Sequence, residues 1–330
     1  AAEADERKKK EQEIKNDPSL TPVKLAIEQA AARKKKLLAP KSYSTYKTVK
    51  NFALAAMDKL RLSDMPVRDV KRSHIVRVLD QMQDDRQAEY DKEGKGKKFT
   101  GNNYNKYREF LHGLFSEIEQ ACDLDFNPCH KIANKPEIKT NPHRHATPQE
   151  EKAIKQMLRV RHRRLYIFLA VEELSELRPE EIVALRIRDI DWFNQWFKIA
   201  AQDHAKTREA RNTPIPNSLL PLLKELDLDK YPKDWYVFSK GSQLVPGPCR
   251  IKRDKVTKTW KKLVKDELGL DVTMYSFKGL GADKKIAAGI DKAAVSKQMG
   301  HATLSMTDRY LEREEERKRR VIMEYTPTFE

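Results

Sequence analysis

Residues 298–314 read "QMGHATLSMTDRYLERE", and the whole chain turns on how that stretch is taken. Gly300 ends one helical run, His301 follows it, and a short amphipathic helix begins beyond with Tyr310 inside it, flanked by charges. Locally, Tyr310 reads either as a packing residue against Met306 at i, i+4 or as a group that reacts. The choice depends on what else the chain can bring beside it.

Upstream, residues 274–291 ("MYSFKGLGADKKIAAGID") read as a helix capped by Ser276 and stopped at Gly289. Gly279 and Gly281 fall in its first turns, where each costs about 0.5–1 kcal/mol relative to alanine. Tyr275 and Lys278 are three apart and share a face. Residues 196–202 ("WFKIAAQ") and 211–216 ("RNTPIP") read as short strands around the polar turn 203–210, "DHAKTREA". Lys206 sits at that tip, with His204 and Arg208 as neighbours. A lysine there is a solvated charge, or a general acid if partial burial lowers its pKa. Residues 178–190 ("RPEEIVALRIRDI") predict a helix with Pro179 just inside its start and Arg178 at its N-terminus. A cation there opposes the helix dipole, so the arrangement makes sense if both face one anion such as a phosphate. The alternative is an exposed arginine, or one paired with Glu180 or Glu181.

Composition narrows the partner. Sixty-six Lys+Arg against 50 Asp+Glu leave a formal charge of +16 on 330 residues. That surplus suits a polyanion, nucleic acid or an anionic membrane surface. No apolar run approaches the roughly 20 residues that cross a bilayer, and no signal peptide is visible. The chain opens on Ala1, which leaves room for residues upstream. Three cysteines (Cys122, Cys129, Cys249) make no disulfide framework and suit a reducing, cytoplasmic setting. Cys122, Cys129 and His130 lack zinc-site spacing, so no metal is expected.

The remainder sets out two domains. Residues 1–21 read as a charged extension. Residues 22–136 read as a bundle of about four helices, with one stripe at Tyr46, Val49, Phe52, Ala53, Ala56 and Leu60, a second at Ile75, Leu79 and Met82 behind a Ser73 cap, and a third from Tyr104 to Cys122. Residues 137–146 read as a Pro/Asn/basic linker. Residues 147–330 open with a capping box, Thr147-Pro148-x-Glu150, and read as mostly helical with a small antiparallel sheet. The fold class is therefore mainly α. The C-terminal tail carries Val321, Ile322, Met323 and Tyr325, which either pack on their own domain or dock on a neighbour.

Each candidate is weak alone, but their order is specific: Arg178 in its helix start, Lys206 in a hairpin, the Tyr275/Lys278 helix, Gly300-His301, then Tyr310. In that order, and most closely in "MGHATLSMTDRYL" (299–311), the chain resembles the tyrosine recombinase (phage integrase) family over roughly residues 22–326. The resemblance implies a core-DNA-binding domain followed by a catalytic domain. It implies that Tyr310 attacks the scissile phosphate to form a 3′-phosphotyrosyl link. Arg178 would hold a non-bridging oxygen, Lys206 would protonate the leaving 5′ oxygen, and His301 would bond the phosphate or help activate the tyrosine.

The family's second box is usually His-x-x-Arg followed by His or Lys. Here Tyr275, Lys278 and Gly279 stand there, with Lys284 and Lys285 nearby to compensate. The implied partners are double-stranded DNA and a homotetramer coupled through the C-terminal tail, with no cofactor. Expected DNA contacts are Lys41, Lys47, Lys50, Arg72, Lys95, Lys97, Lys98, Arg250, Lys252 and Arg253. Two alternatives stand beside this: a recombinase-like DNA-binding protein whose cleavage is weak or lost, and a helical nucleic-acid-binding module in which Tyr310 packs.

Overall fold

The computed structural model describes residues 12–94, 96–138, 143–200, 210–239, 241, 243–308, 311, 319 and 322–324. The chain divides into two units, Ala1–Thr140 and Asn141–Glu330.

In the first unit, four helices enclose one core: α1 (Val23–Leu37), α2 (Pro40–Lys59), α3 (Arg72–Lys92) and α4 (Gly101–Cys122). Their buried faces follow the sequence period. Tyr104, Leu111, Leu114, Phe115, Ile118 and Cys122 line α4, and Ile75, Val78, Leu79 and Met82 line α3. Alanines at 26, 30, 31, 53 and 56 let α1 and α2 approach closely. Tyr46 meets the edge of Phe110 with ring centroids 4.5 Å apart. Ser73 does not cap α3. The helix starts at Arg72, one residue earlier, and its N-cap is Lys71, whose backbone N–H donates to His74 Nδ1 at 3.2 Å. The His74 imidazole thus plays the part that the N3 side chain plays in a capping box, accepting from the N-cap backbone.

The second unit is built around α6 (Arg163–Ser175), which follows α5 (Pro148–Arg161) and is buried almost all round. The box at the start of α5 forms as expected: Thr147 Oγ1 accepts from the Glu150 N–H at 3.2 Å, and the Glu150 carboxylate accepts from the Thr147 N–H at 2.8 Å. A single helical turn, α7 (Pro179–Ile182), replaces the long helix expected after Arg178. Three strands make an antiparallel sheet in chain order, β1 (Ile190–Asp191), β2 (Trp196–Ile199) and β3 (Arg211–Pro214). Phe197 is opposite both Ile190 and Thr213. Further α-helices among the described residues of this unit are α8 (Leu220–Lys224), α9 (Arg253–Trp260), α10 (Ser276–Ala287), α11 (Lys292–Met299) and α12 (Leu304–Asp308). Phe168, Phe197, Phe238, Trp260 and Phe277 fill the core between them, and the Trp260 indole donates to Val272 O at 2.8 Å.

Helix α10 crosses α6 where Gly281 faces the backbone of Glu173. A Cβ at 281 would lie 1.8 Å from the Glu173 carbonyl oxygen, so only glycine permits this approach. Gly281→Ala is expected to destabilise the unit by at least about 3 kcal/mol, the top of the overpacking range, because backbone and not a side chain must yield. Urea denaturation measures this, and a loss under about 1 kcal/mol would mean that the helices separate easily.

Candidate active site

Helix α6 ends at Glu176, which takes a left-handed conformation (φ 48°) unusual for a residue with a Cβ. The chain then turns through Leu177 into Arg178. The next carboxylate, Glu181, organises the site. It is almost wholly buried and holds two arginines. Arg211 Nη1 and Nη2 donate to Oε1 and Oε2 at 3.0 and 2.9 Å, and Arg178 Nη1 donates to Oε1 at 3.2 Å. Glu181 Oε2 also accepts from the Arg178 backbone N–H at 2.8 Å. Burial alone would raise the Glu181 pKa, but the Arg211 and Arg178 bonds outweigh it and hold the carboxyl below its usual range. Arg178 is thus placed by its pair with Glu181, the alternative the sequence left open. A one-turn helix supplies little dipole, so that part of the expectation falls away.

Arg178 also donates from Nη2 to the carbonyl of Gly300 at 3.3 Å. Gly300 closes α11 in the left-handed region (φ 66°), as the sequence predicts, and a Cβ there would lie 2.9 Å from the guanidinium carbon of Arg211. His301 follows, its Nδ1 2.9 Å from the buried Thr307 hydroxyl. Burial, with Lys278, Arg178 and Arg211 nearby, pushes the His301 pKa down to about 4. The imidazole is therefore neutral near pH 7, a hydrogen-bonding group and a weak base. Its folded pKa lies below the ordinary 6.5, so this group's contribution to stability is retained above pH 6.5 and lost as pH falls toward 4. Nuclear magnetic resonance of the His301 ring is expected to show a midpoint near 4. A midpoint at 6.5 would separate it from the cationic cluster.

Lys278 lies in the same cluster but points inward. It is fully buried, and its Nζ donates to the carbonyls of Glu176 (a very short contact) and Met299 (3.4 Å). Burial, reinforced by Arg178, pushes its pKa down to about 7. Tyr275, three residues earlier, is half-exposed and packs on His143 with centroids 4.9 Å apart. The shared face expected for the two therefore gives them different surroundings. Helix α10 starts at Ser276 with Tyr275 as its N-cap, so Ser276 is inside the helix and its hydroxyl bonds Thr273 at 2.8 Å. Gly279 is buried.

Lys284 and Lys285, named as compensating cations, are committed elsewhere. Lys284 pairs with Glu173 at 2.7 Å and with Glu151. Lys285 pairs with the Glu176 carboxylate at 2.8 Å and the Leu174 carbonyl at 2.7 Å. Burial raises the Glu176 pKa to about 7 despite Lys285. Beneath them Glu172 is fully buried with neither carboxylate oxygen hydrogen-bonded among the described residues, and burial drives its pKa well above the usual carboxylate value.

Tyr310, Lys206, His204, Arg208 and Lys95 lie outside the described residues, as do Val321 and Tyr325. Of the other proposed DNA contacts, Lys41, Lys47, Lys98 and Lys252 are exposed and Lys50 is half-buried. Arg72 donates to His130 O at 2.8 Å, and the Lys97 ammonium lies 4.4 Å from the Tyr90 ring. Arg250 and Arg253 flank the Glu180 carboxylate at 3.7 and 3.8 Å. No cluster of metal-ligating side chains occurs among the described residues. Sequence reasoning missed Arg211. The alternation along β3 could have found it, since Arg211 and Thr213 share the inner face while Asn212 and Pro214 face out.

The sequence profile of the phage integrase family matches residues 146–317, more than half of the chain. The chain belongs to the phage integrase family. Site-specific DNA recombination is the function that this membership carries. Integrases also give the fold. A Tn1549 transposon integrase in complex with a circular intermediate DNA superposes with a TM-score of 0.65 at 17% identity, over 91% of this chain and 98% of that one. A lambda integrase tetramer bound to a Holliday junction gives 0.64 at 14%, over 90% and 79%. A lambda integrase dimer bound to a core site gives 0.62 at 15%, over 92% and 98%. No curated protein matches the sequence. Among the described residues no helix of this integrase is long and apolar enough to cross a membrane.

Proposed function

We propose that this chain cuts and rejoins duplex DNA through a 3′-phosphotyrosine on Tyr310, as the recombinase of a phage or other mobile element. The observation that carries the proposal is the cationic cluster itself. Two arginines are fixed on one buried carboxylate beside a neutral histidine, at the turn that leads toward Tyr310. A phosphodiester under attack gathers negative charge on its non-bridging oxygens, and preorganised donors of this kind stabilise it. The Tyr310 oxygen bonds to phosphorus, the bond to the 5′ oxygen breaks, and Lys206 supplies the proton that the leaving oxygen needs. The phenol gives its proton to solvent, with His301 as hydrogen-bond partner, since an imidazole of pKa about 4 is a poor base. The phosphotyrosine keeps the energy of the broken bond, so the strand can be rejoined without ATP.

The helical unit, with Lys41, Lys47, Lys50, Arg72, Lys97 and Lys98, and the 250–253 segment supply the sequence-independent grip on phosphates. The C-terminal tail docks on a neighbouring copy in a tetramer. The complete burial of Lys278 favours one second reading, a DNA-binding relative with weak cleavage. The test is direct. The chain is produced in cells, lysates are denatured, and DNA covalently attached to it is sequenced. One recurrent junction is expected. DNA bound by the native protein with none covalently attached would favour the second reading.

A further inference from the structure

Lys278 stands where the family's second box has its arginine, but its surroundings differ from those of a phosphate-binding group. The Lys278 ammonium reaches no solvent and is spent on two main-chain carbonyls, one at the left-handed end of α6 and one at the end of α11. A duplex approaches from outside, so its phosphate meets partly exposed groups first. Arg178 and Arg211 are such groups, with side chains 13% and 16% exposed. Among the described residues, the only carboxylate that either contacts is Glu181. Two guanidiniums on one carboxylate leave a positive charge over, at the surface, in fixed planes. Arg211 uses two N–H bonds on Glu181, one from each η nitrogen, and its Nε is buried. A guanidinium has five N–H donors, so one on each η nitrogen remains for a ligand. Because Gly300 has no side chain, Arg211 lies against the same turn whose carbonyl accepts from Arg178.

We infer that Arg211 is the second arginine on the scissile phosphate, beside Arg178, and that Lys278 is a positioning residue that ties the Met299–His301 turn to the end of α6. The inference rests on the recombinase reading above. Each guanidinium takes one non-bridging oxygen, the geometry a planar fork serves better than an ammonium.

The experiment uses the full chain and a nicked duplex rebuilt from the captured junction, with the scissile linkage either an ordinary phosphodiester or an uncharged methylphosphonate. Removing the charge from the phosphate removes the need for the side chain that neutralises it. Arg211→Ala is expected to slow cleavage of the diester about 100-fold, the scale of losing one preorganised donor, and to recover at least about tenfold, relative to wild type, on the methylphosphonate. Arg211→Lys, which keeps Glu181 paired, should fall between and guards against misfolding, checked by thermal melting. Lys278→Met should slow both linkages equally and raise the His301 midpoint from about 4. Equal loss on both linkages for Arg211→Ala and Arg211→Lys, or recovery with Lys278→Met, overturns the inference. If wild type forms no adduct on either linkage, the recombinase reading itself fails, and the assignment with it.

Discussion

Tyr310→Phe is expected to erase the covalent DNA adduct while leaving DNA binding within about twofold of wild type. The substitution removes one oxygen and nothing else of the side chain's shape. A phenol has an ordinary pKa near 10, so it reacts only where cations stabilise the phenolate and the phosphate together. Without the nucleophile, loss is on the order of 10⁶-fold, the scale on which covalent enzymes lose their attacking group, and adduct falls below detection. Denaturing gels of a nicked duplex read the adduct, and gel shift reads binding. A surviving adduct in Tyr310→Phe, mapped by mass spectrometry, would identify another nucleophile and return Tyr310 to a packing role.

Glu181→Ala is the second large effect, and it acts through two arginines at once. Glu181 has a side chain only 1% exposed and accepts both guanidiniums and a backbone N–H. Its removal leaves two mostly buried cations unpaired, and breaking a buried ion pair from one side costs about 3–5 kcal/mol. Cleavage should fall at least about 100-fold, because both donors lose the geometry that aims them. Glu181→Gln keeps an acceptor and the shape, so it should lose less on both counts. Because the folded pKa of Glu181 is depressed, its contribution to stability is present above its ordinary value of 4.5 and disappears as acid protonates it. The gap between wild type and Glu181→Ala should therefore narrow below that pH. Denaturant melts across pH, with single-turnover cleavage, measure this. A stability loss under about 1 kcal/mol would mean that the arginines find other partners.

Local chemistry was legible in the sequence, and long-range chemistry was not. The α5 capping box, the strands at 196–199 and 211–214 and the glycine stop at 300 each depend on a few neighbouring residues, and each appears where the sequence puts it. Arg178 could be nominated from its motif, but its partner could only be offered as an alternative. The contacts that complete the site come from Arg211, 30 residues from the Glu181 it holds, and from Gly300, 122 residues from Arg178. Lys278 shows the limit. Its spacing from Tyr275 suggests a shared face, yet burial against Glu176 and Met299 gives it a different task, and no helical period reveals that. The missed cap at Lys71 has a smaller cause, an N-cap backbone N–H bonded by an imidazole at the third helical position, which no Ser/Thr/Asp/Asn signal marks.

The carbonyl of Gly300 that receives Arg178 has a meaning for how the protein is made. Synthesis runs from the N-terminus, so Arg178 and Arg211 leave the ribosome well before the turn that orients them and before Tyr310. A nascent chain or one truncated ahead of residue 300 therefore carries both guanidiniums without the carbonyl that orients Arg178. Closing a loop of 122 residues between 178 and 300 makes the orientation of Arg178 a late event of folding, set only after the segment around Gly300 has been synthesised.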